Sequence, residues 1–341
     1  MEYTLYTEFP QPLERAWNAL LAESVTHVPF LRYEYLHNWW QTRGGGEWTE
    51  SARLAIVTAE TDGELCGIAP LFIAPTPAGR PAGRPAILLL GSIEISDYLD
   101  LIVRPADLDA FVSGLLPFLE EKISGGLPLD LYNLLETSPT LNALQSVATT
   151  QGYTFKQERL LHSPYIPLPG DWETYLAGID KKQRHEIRRK MRRLSEASVP
   201  SHWYFVEDPA QLDPEIDAFL ALMAQDEQKA AFLTPLMKET LRGMIRCAFE
   251  AGCLQLSFLE IDGKKAAAYL SFDYLNRIWV YNSGLDRALM EYSPGWVLLG
   301  HLLQWANENG REAFDFMRGD EEYKYRFGAV DRFVMRATVE R

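Results

Sequence analysis

The sequence predicts an α/β (α+β) chain of two tandem domains, each built on a mixed, mostly antiparallel central sheet flanked by helices. Three observations carry this expectation. At 341 residues the chain exceeds the size at which a single hydrophobic core stops growing. Apolar runs of strand length are joined by Asp62-Gly63 and again by Asp262-Gly263, a dipeptide that closes antiparallel hairpins. An order of strand, helix and strand also occurs in each half, near 98–134 and near 277–316, with negligible sequence identity between the two. Pro164, Pro167, Pro169 and Gly170 mark a boundary, so the expected domains are 1–165 and 166–341.

In the first half, residues 12–23 and 30–43 are expected as helices. The second carries Tyr33, Leu36, Trp39 and Trp40, an aromatic stripe at helical spacing that reads as core. Gly44-Gly45-Gly46 ends it. Residues 53–58 and 66–73 form the strand pair around Asp62-Gly63. The repeat Ala78-Gly79-Arg80-Pro81-Ala82-Gly83-Arg84-Pro85 cannot hold a regular element, because Gly loosens the backbone and Pro removes donors; an exposed hairpin loop is expected there. Strands at 87–90 and 98–103, a helix at 107–123 and a strand at 129–134 follow, and 153–170 reads as strand and linker.

A long helix over 172–197, interrupted near Gly178, opens the second half. Ile187, Met191 and Leu194 seat one face on a core, while Arg184, Arg188, Arg189, Arg192 and Arg193 cover the rest. Like charges at this spacing repel, so the face is either simply solvated or meets an anion such as a phosphate-rich ligand. A strand at 203–207, helices at 214–228 and 235–251 and strands at 254–261 and 266–274 lead to the turn at Asn276-Arg277. Beyond it, Ile278, Val280 and Asn282 alternate with Trp279, Tyr281 and Ser283 as in a strand. Ser293 is placed to cap the next helix, and Pro294 sits where a missing N–H costs nothing. That helix runs over 296–308 and stops at Asn309-Gly310. Phe314-Asp315-Phe316 is a short buried strand, and 333–339 is expected to close the second sheet.

Composition narrows the function. With 47% hydrophobic and 23% charged residues, the chain is an ordinary globular protein, and a formal charge of −14 argues against broad DNA binding or an anionic membrane as main partner. The exception is local: residues 181–193 carry eight Lys or Arg and one Glu, or +7, leaving −21 for the remainder. Cys66, Cys247 and Cys253 have no metal-like spacing, and neither do the six histidines, so no metal is expected. No apolar run approaches the ~20 residues that span a bilayer. The N-terminus lacks a basic and apolar leader, which makes a cytoplasmic location the expectation.

A helix that begins directly after a strand end points unpaired N–H groups at whatever lies there, and such a place suits phosphate. Ser293, Gly295, Trp296 and Val297 would supply those amides. An ordinary capped helix is the alternative reading, and neither a Walker nor a dinucleotide fingerprint occurs.

The order of strand, Ser293-Pro294-Gly295, helix, strand with Asp315, then Gly319-Asp320-Glu321-Glu322-Tyr323-Lys324 resembles the last half of the GNAT acyltransferase fold. More closely it resembles the double-GNAT group of CelD-like proteins, relatives of the Fem-type aminoacyl transferases. Pro29-Phe30-Leu31, Trp39-Trp40 and Ser96-Asp97-Tyr98-Leu99-Asp100 agree in order, so the resemblance spans most of the chain. It implies an N-acyltransferase with acyl-CoA, such as acetyl-CoA, as donor and a small or sugar-nucleotide-like amine as acceptor. It places the donor's pantetheine arm near Trp279 to Gly284, with Ser283, Gly284, Ser293, Gly295, Trp296 and Val297 as donor contacts. Asp315 and Asp320 are the expected proton acceptors, Lys324 would hold developing negative charge or a substrate phosphate, and Tyr281 or Tyr323 would protonate the leaving thiolate. Arg184, Arg188 and Arg287, with Asp97 and Tyr98 of the first half, are expected substrate or phosphate contacts. Two alternatives stay open: a Fem-like transferase whose donor is aminoacyl-tRNA held by the basic helix, and a non-catalytic double-GNAT binding protein.

Overall fold

The computed structural model describes residues 1–75, 85–123 and 125–341. The hairpin loop expected at 78–85 lies, apart from Pro85, outside the described residues. Contacts divide the chain into two compact units, Met1–Leu161 with Phe333–Arg341, and His162–Arg332.

The first unit runs β1 (Glu2–Tyr6), α1 (Glu14–Ala22), α2 (Tyr33–Gln41), a helical turn α3 (Arg43–Gly46), β2 (Arg53–Leu54), β3 (Ile56–Thr61), β4 (Glu64–Ala69), β5 (Leu71–Ala74), β6 (Ala86–Leu89), β7 (Ile102–Val103), α4 (Leu108–Lys122), β8 (Leu129–Leu135), α5 (Pro139–Gln151) and β9 (Thr154–His162). The two strands expected around Asp62-Gly63 each break in two. Ala55 separates β2 from β3, and Pro70, which has no N–H to give a ladder, separates β4 from β5. Among the described residues the strands accordingly fall into two sheets, β1-β3-β4-β7 and a larger one containing β2-β5-β6-β8. The aromatic stripe of α2 is core: Leu36 and Trp39 are fully buried, and Tyr33 meets Trp17 edge-on at 5.7 Å, the Trp17 indole N–H donating to Leu31 O at 2.8 Å. The strand expected at 98–103 reduces to Ile102–Val103, and Tyr98 is buried in a left-handed conformation (φ 58°), outside the β region.

The second unit opens with β10 (Tyr165–Pro167), α6 (Trp172–Gly178) and α7 (Lys181–Ser195), the break between the helices falling after Gly178 as expected. Then come β11 (Ser201–Phe205), α8 (Leu212–Met223), α9 (Glu227–Phe232), α10 (Pro235–Glu250), β12 (Leu254–Ile261), β13 (Lys264–Tyr274), β14 (Arg277–Leu285), α11 (Pro294–Glu308), β15 (Ala313–Asp315) and α12 (Glu322–Arg326). The sheet order is β10-β15-β14-β13-β12-β11, antiparallel except for β14 with β15. Ala267, Tyr269 and Ile278 pack under Leu298 and Leu302 of α11 and Ile187 and Leu194 of α7. Side chains alternate across a strand, so the neighbouring positions Ala268, Leu270 and Gly284 face the other side, where α8 lies. Each fully buried Leu or Ile contributes about 1.5–3 kcal/mol, which is how an otherwise strongly basic α7 stays seated.

The last strand, β16 (Phe333–Glu340), does not close the second sheet. It pairs with β8 of the first unit, extending that sheet to β2-β5-β6-β8-β16-β9. Two features direct it there. Val334, Ala337 and Val339 bury against that sheet, and the Arg336 guanidinium is held by both Asp130 oxygens at 2.7 and 2.8 Å. The place next to β15 is already taken by β10, with Tyr165 opposite Asp315. No helix among the described residues is long and apolar enough to cross a membrane.

Candidate functional site

β14 positions the site. It runs antiparallel to β13 along its length, but its parallel pairing with β15 stops at Trp279, opposite Asp315, while β14 continues to Leu285. At the same point Leu270 of β13 faces Asn282 and Ser271 faces Val280, which leaves Tyr281 as the extra residue of a bulge. A bulge bends its strand and strengthens the local twist. β14 therefore turns just where β15 ends.

Past Leu285 the chain makes a 3-10 turn, Arg287–Tyr292, whose start is capped by Asp286 accepting from Ala288 N at 2.9 Å. It then enters α11 at Pro294. Ser293 is not the side-chain cap the sequence led us to expect: it is left-handed (φ 54°, ψ 48°) and its hydroxyl makes no capping bond. The tight 3-10 turn before it imposes that backbone, and the Ser293 carbonyl does the capping by accepting from Trp296 N (3.0 Å) and Val297 N (3.1 Å). Ser293 N–H donates to Met290 O at 3.0 Å. Of the four amides expected to be open, three are thus used, and Gly295 N–H is the one with no partner among the described residues. Gly295 packs closely on Leu285: a Cβ would come within 2.8 Å of Leu285 Cδ2, which would have to turn aside.

The loop after β15 is tied down from within. Lys324, 3% exposed, donates from Nζ to Phe316 O (3.2 Å), Arg318 O and Gly319 O (both 3.0 Å), and meets Glu321 at 2.8 Å. Asp315, 1% exposed, accepts from Met317 N at 2.8 Å and pairs with Arg332. Expected to hold developing negative charge or a substrate phosphate, and to accept a proton, these two side chains are engaged in holding the loop, because a charge taken this deep needs a full set of partners. Asp320 is exposed on the same loop. Tyr323 rests edge-on against Phe316 at 5.9 Å, and burial, then Tyr269 and Glu321, push its phenol well above the usual value. It therefore keeps its proton and is a poor acid towards a thiolate. Tyr281 lies edge-on to Phe272 at 6.1 Å.

On the α8 side of the end of β14 lies a cavity of about 430 Å³, lined by Leu222, Met223, Asp226, Lys229, Ser283, Gly284, Leu285, Arg287 and Met290. Gly284 lets α8 this close: a Cβ there would sit 2.6 Å from Met223 N. Lys229 reaches in from α9 and donates to Ser283 O at 2.5 Å. Burial lowers its pKa, partly opposed by Asp226 and Glu321. Asp226 caps α9 by accepting from Gln228 N and Lys229 N (3.0 and 3.1 Å) and lies 3.6 Å from Arg287. Sequence reasoning brought Ser283, Gly284 and Arg287 to this place but missed Lys229. Its only signal was the Asp226 cap one turn earlier, which marks a helix start and not a site.

The basic helix is less free than its composition implied. Arg184 donates to Leu176 O and Ala177 O at the end of α6, where the helix dipole favours a cation; Arg188 pairs with Glu173, and Arg189 makes two bonds of 2.8 Å to Glu186. Arg184 and Arg188, expected as phosphate contacts, are thereby engaged within the unit. Lys190 lies 3.9 Å over the Trp296 ring, which fastens α7 to the start of α11. Asp97 and Tyr98 are buried in the first unit.

Residues 181–325 match the model of a family described as an acetyltransferase (GNAT) domain. No curated protein matches the chain. Among solved structures, FemX is similar with a TM-score of 0.69 at 10% identity, over 99% of this chain and 97% of that one. A conserved protein of unknown function from Bacteroides thetaiotaomicron gives 0.60 at 13% identity, over 100% of both chains. L-PGS from Bacillus licheniformis gives 0.56 at 15% identity, over 96% of this chain and 91% of that one. At such identities the likeness is one of fold. Residues 181–325 are thus similar to a GNAT acetyltransferase domain, within a fold similar over nearly the whole length of the chain to that of FemX.

Proposed function

We propose that the protein is an N-acyltransferase that moves an acyl group from acyl-CoA to the amine of a small acceptor. The carrying observation is the end of the β14–β15 pairing at Trp279, beside a bulge and ahead of a helix that opens with Pro294-Gly295. The run of β14 at 282–285, which has lost its β15 neighbour, gives the amide-rich pantetheine arm a strand edge to add to, and Gly295 N–H lies where the donor's phosphates would follow. Attack of the amine on the thioester carbonyl forms the C–N bond, expels the thiolate and releases one proton. Asp320, exposed on the loop that Lys324 anchors, is the carboxylate we assign to take that proton. A CelD-like relationship and a cytoplasmic setting belong to the same reading.

The second reading, a Fem-like transfer from aminoacyl-tRNA, draws on the likeness to FemX and on Lys181, Lys182 and His185, which have no ion-pair partner among the described residues. One experiment separates the two. The melting temperature of the purified protein is measured with coenzyme A, acetyl-CoA and longer acyl-CoAs; a ligand at ~100 times its Kd stabilises by about 2.7 kcal/mol. A saturable rise supports the acyl-CoA reading. Folded protein that ignores every thioester but is stabilised by aminoacyl-tRNA sinks it in favour of the second.

A further inference from the structure

Two lysines of the second unit are largely withdrawn from water, and they differ in what surrounds the ammonium. Lys324 Nζ meets three carbonyl oxygens and the Glu321 carboxylate, so its donors are all taken. Lys229 Nζ meets one, the Ser283 carbonyl oxygen. Among the described residues no carboxylate lies within 4 Å of it: Asp226 is committed to the α9 cap and to Arg287, and Glu321 to Lys324. A half-buried ammonium with donors to spare, facing a cavity, is an electrostatic arrangement completed by an anion.

The cavity's other features say which kind. At about 430 Å³ it has the size of a small-molecule pocket. Leu222, Met223, Leu285 and Met290 give it apolar walls, while its charged groups are two cations, Lys229 and Arg287, against the single carboxylate Asp226. Its Leu222 and Met223 wall belongs to α8, on the Gly284 face of β14, while Leu285 borders Gly295 in the first turn of α11, which would meet the donor's phosphates. An occupant held by Lys229 would thus sit beside the donor at the end of β14, which is where the acceptor has to be.

We propose that this cavity binds the acidic group of the acceptor, a carboxylate or phosphate carried by a small amine, with Lys229 as the specificity-determining contact. The word acceptor rests on the acyltransferase reading; the anion site does not. Binding moves the ammonium's spare donors onto the anion, and Arg287 lies close enough to share it. Burial lowers the Lys229 pKa, and an anion beside the ammonium would raise it again.

The test uses the whole chain with succinate and inorganic phosphate as probes against chloride at equal ionic strength, with and without coenzyme A. Lysine labelled with ¹³C at Cε reports Lys229 directly, assigned by Lys229→Met, and calorimetry reports affinity. We expect saturable binding of one probe, a shift of the Lys229 resonance, at least tenfold weaker binding in Lys229→Met and recovery to within about threefold in Lys229→Arg. Which probe binds distinguishes carboxylate from phosphate. The Lys229→Met protein should keep its thermal response to coenzyme A. Wild-type protein that responds to coenzyme A but binds neither probe, or binds without moving the Lys229 resonance, overturns the proposal, and that readout stands even if the variants fold poorly. Anion binding at Lys229 with no response to any thioester keeps the site and removes the acyltransferase reading.

Discussion

Arg332, the last residue of the second unit, closes on the carboxylate of Asp315, the last residue of β15, with both side chains buried and the guanidinium lying 4.5 Å over the Tyr165 ring of β10. The pair joins the end of the unit to the strand from which β14 parts. Removing one partner of such a pair leaves a buried charge alone, at a cost of about 3–5 kcal/mol. Arg332→Met is therefore expected to lower the unfolding free energy from urea titration by an amount in that range, and Asp315→Asn by less, since the neutral amide still accepts from Met317 N. If Asp315→Asn instead abolished turnover with the urea midpoint unchanged, Asp315 would be the proton acceptor after all.

Lys324 is an anchor, and its variants should behave as loop mutants. Lys324→Met removes three charge-assisted bonds that hold the carbonyls of residues 316–319, each worth about 1.5–3 kcal/mol and not additive. Stability should fall by roughly 3 kcal/mol on that scale. Arginine should not restore it, because a planar fork cannot point at three carbonyls that converge on one atom. Hydrogen exchange should locate the loosening at residues 316–320; protection unchanged there would show that the loop stands without the lysine.

Much of this fold could be read from residue order. Asp262-Gly263 set the β12–β13 hairpin, Pro294 began α11 and Gly310 (φ 71°) ended it. α5 went unread although its signals were present, Ser138 as a cap accepting from Thr140 N and Gly152 (φ 77°) as a stop. What escaped was non-local. The destination of β16 depends on Asp130, more than two hundred residues earlier, and on β10 having taken the other edge. The candidate site divides the same way: Ser283, Gly284 and Arg287 belong to one continuous stretch of chain. Lys229 arrives from a different helix, and no spacing within the sequence encodes that meeting. Lys324 and Asp315 were found, but their polarity was read as reactivity where the fold uses it as internal wiring.

His301 on α11 stacks at 5.6 Å and 16° on Trp203, and burial lowers its pKa below the ordinary 6.5. A folded pKa below the unfolded one means that the native state binds fewer protons between the two values. Stability is then fully present above pH 6.5 and is lost as pH falls through the folded pKa. Lowering the pH from 8 to 5 should therefore depress the melting temperature of the wild type more than that of His301→Phe, which keeps the stacked ring without the titration. Parallel profiles would assign the acid sensitivity to other groups.

Gly284 and Gly263 predict opposite kinds of damage from the same substitution. At Gly284 a Cβ would stand 2.6 Å from Met223 N and 2.7 Å from Leu222 C, main-chain atoms of α8 that cannot rotate away. At Gly263 nothing lies within 4 Å, and the penalty comes only from its left-handed backbone (φ 70°). Gly263→Ala should cost about 1–2 kcal/mol, the price of a side chain in that conformation, with ligand response intact. Gly284→Ala must push α8 off the sheet, a strain of about 1–3 kcal/mol that falls on the wall of the cavity. It should also weaken any ligand bound there beyond what its stability loss explains. Urea titrations of both variants, with and without coenzyme A and the two anions, check this: equal stability losses with equal ligand responses would mean that the approach of α8 to β14 does not shape the cavity.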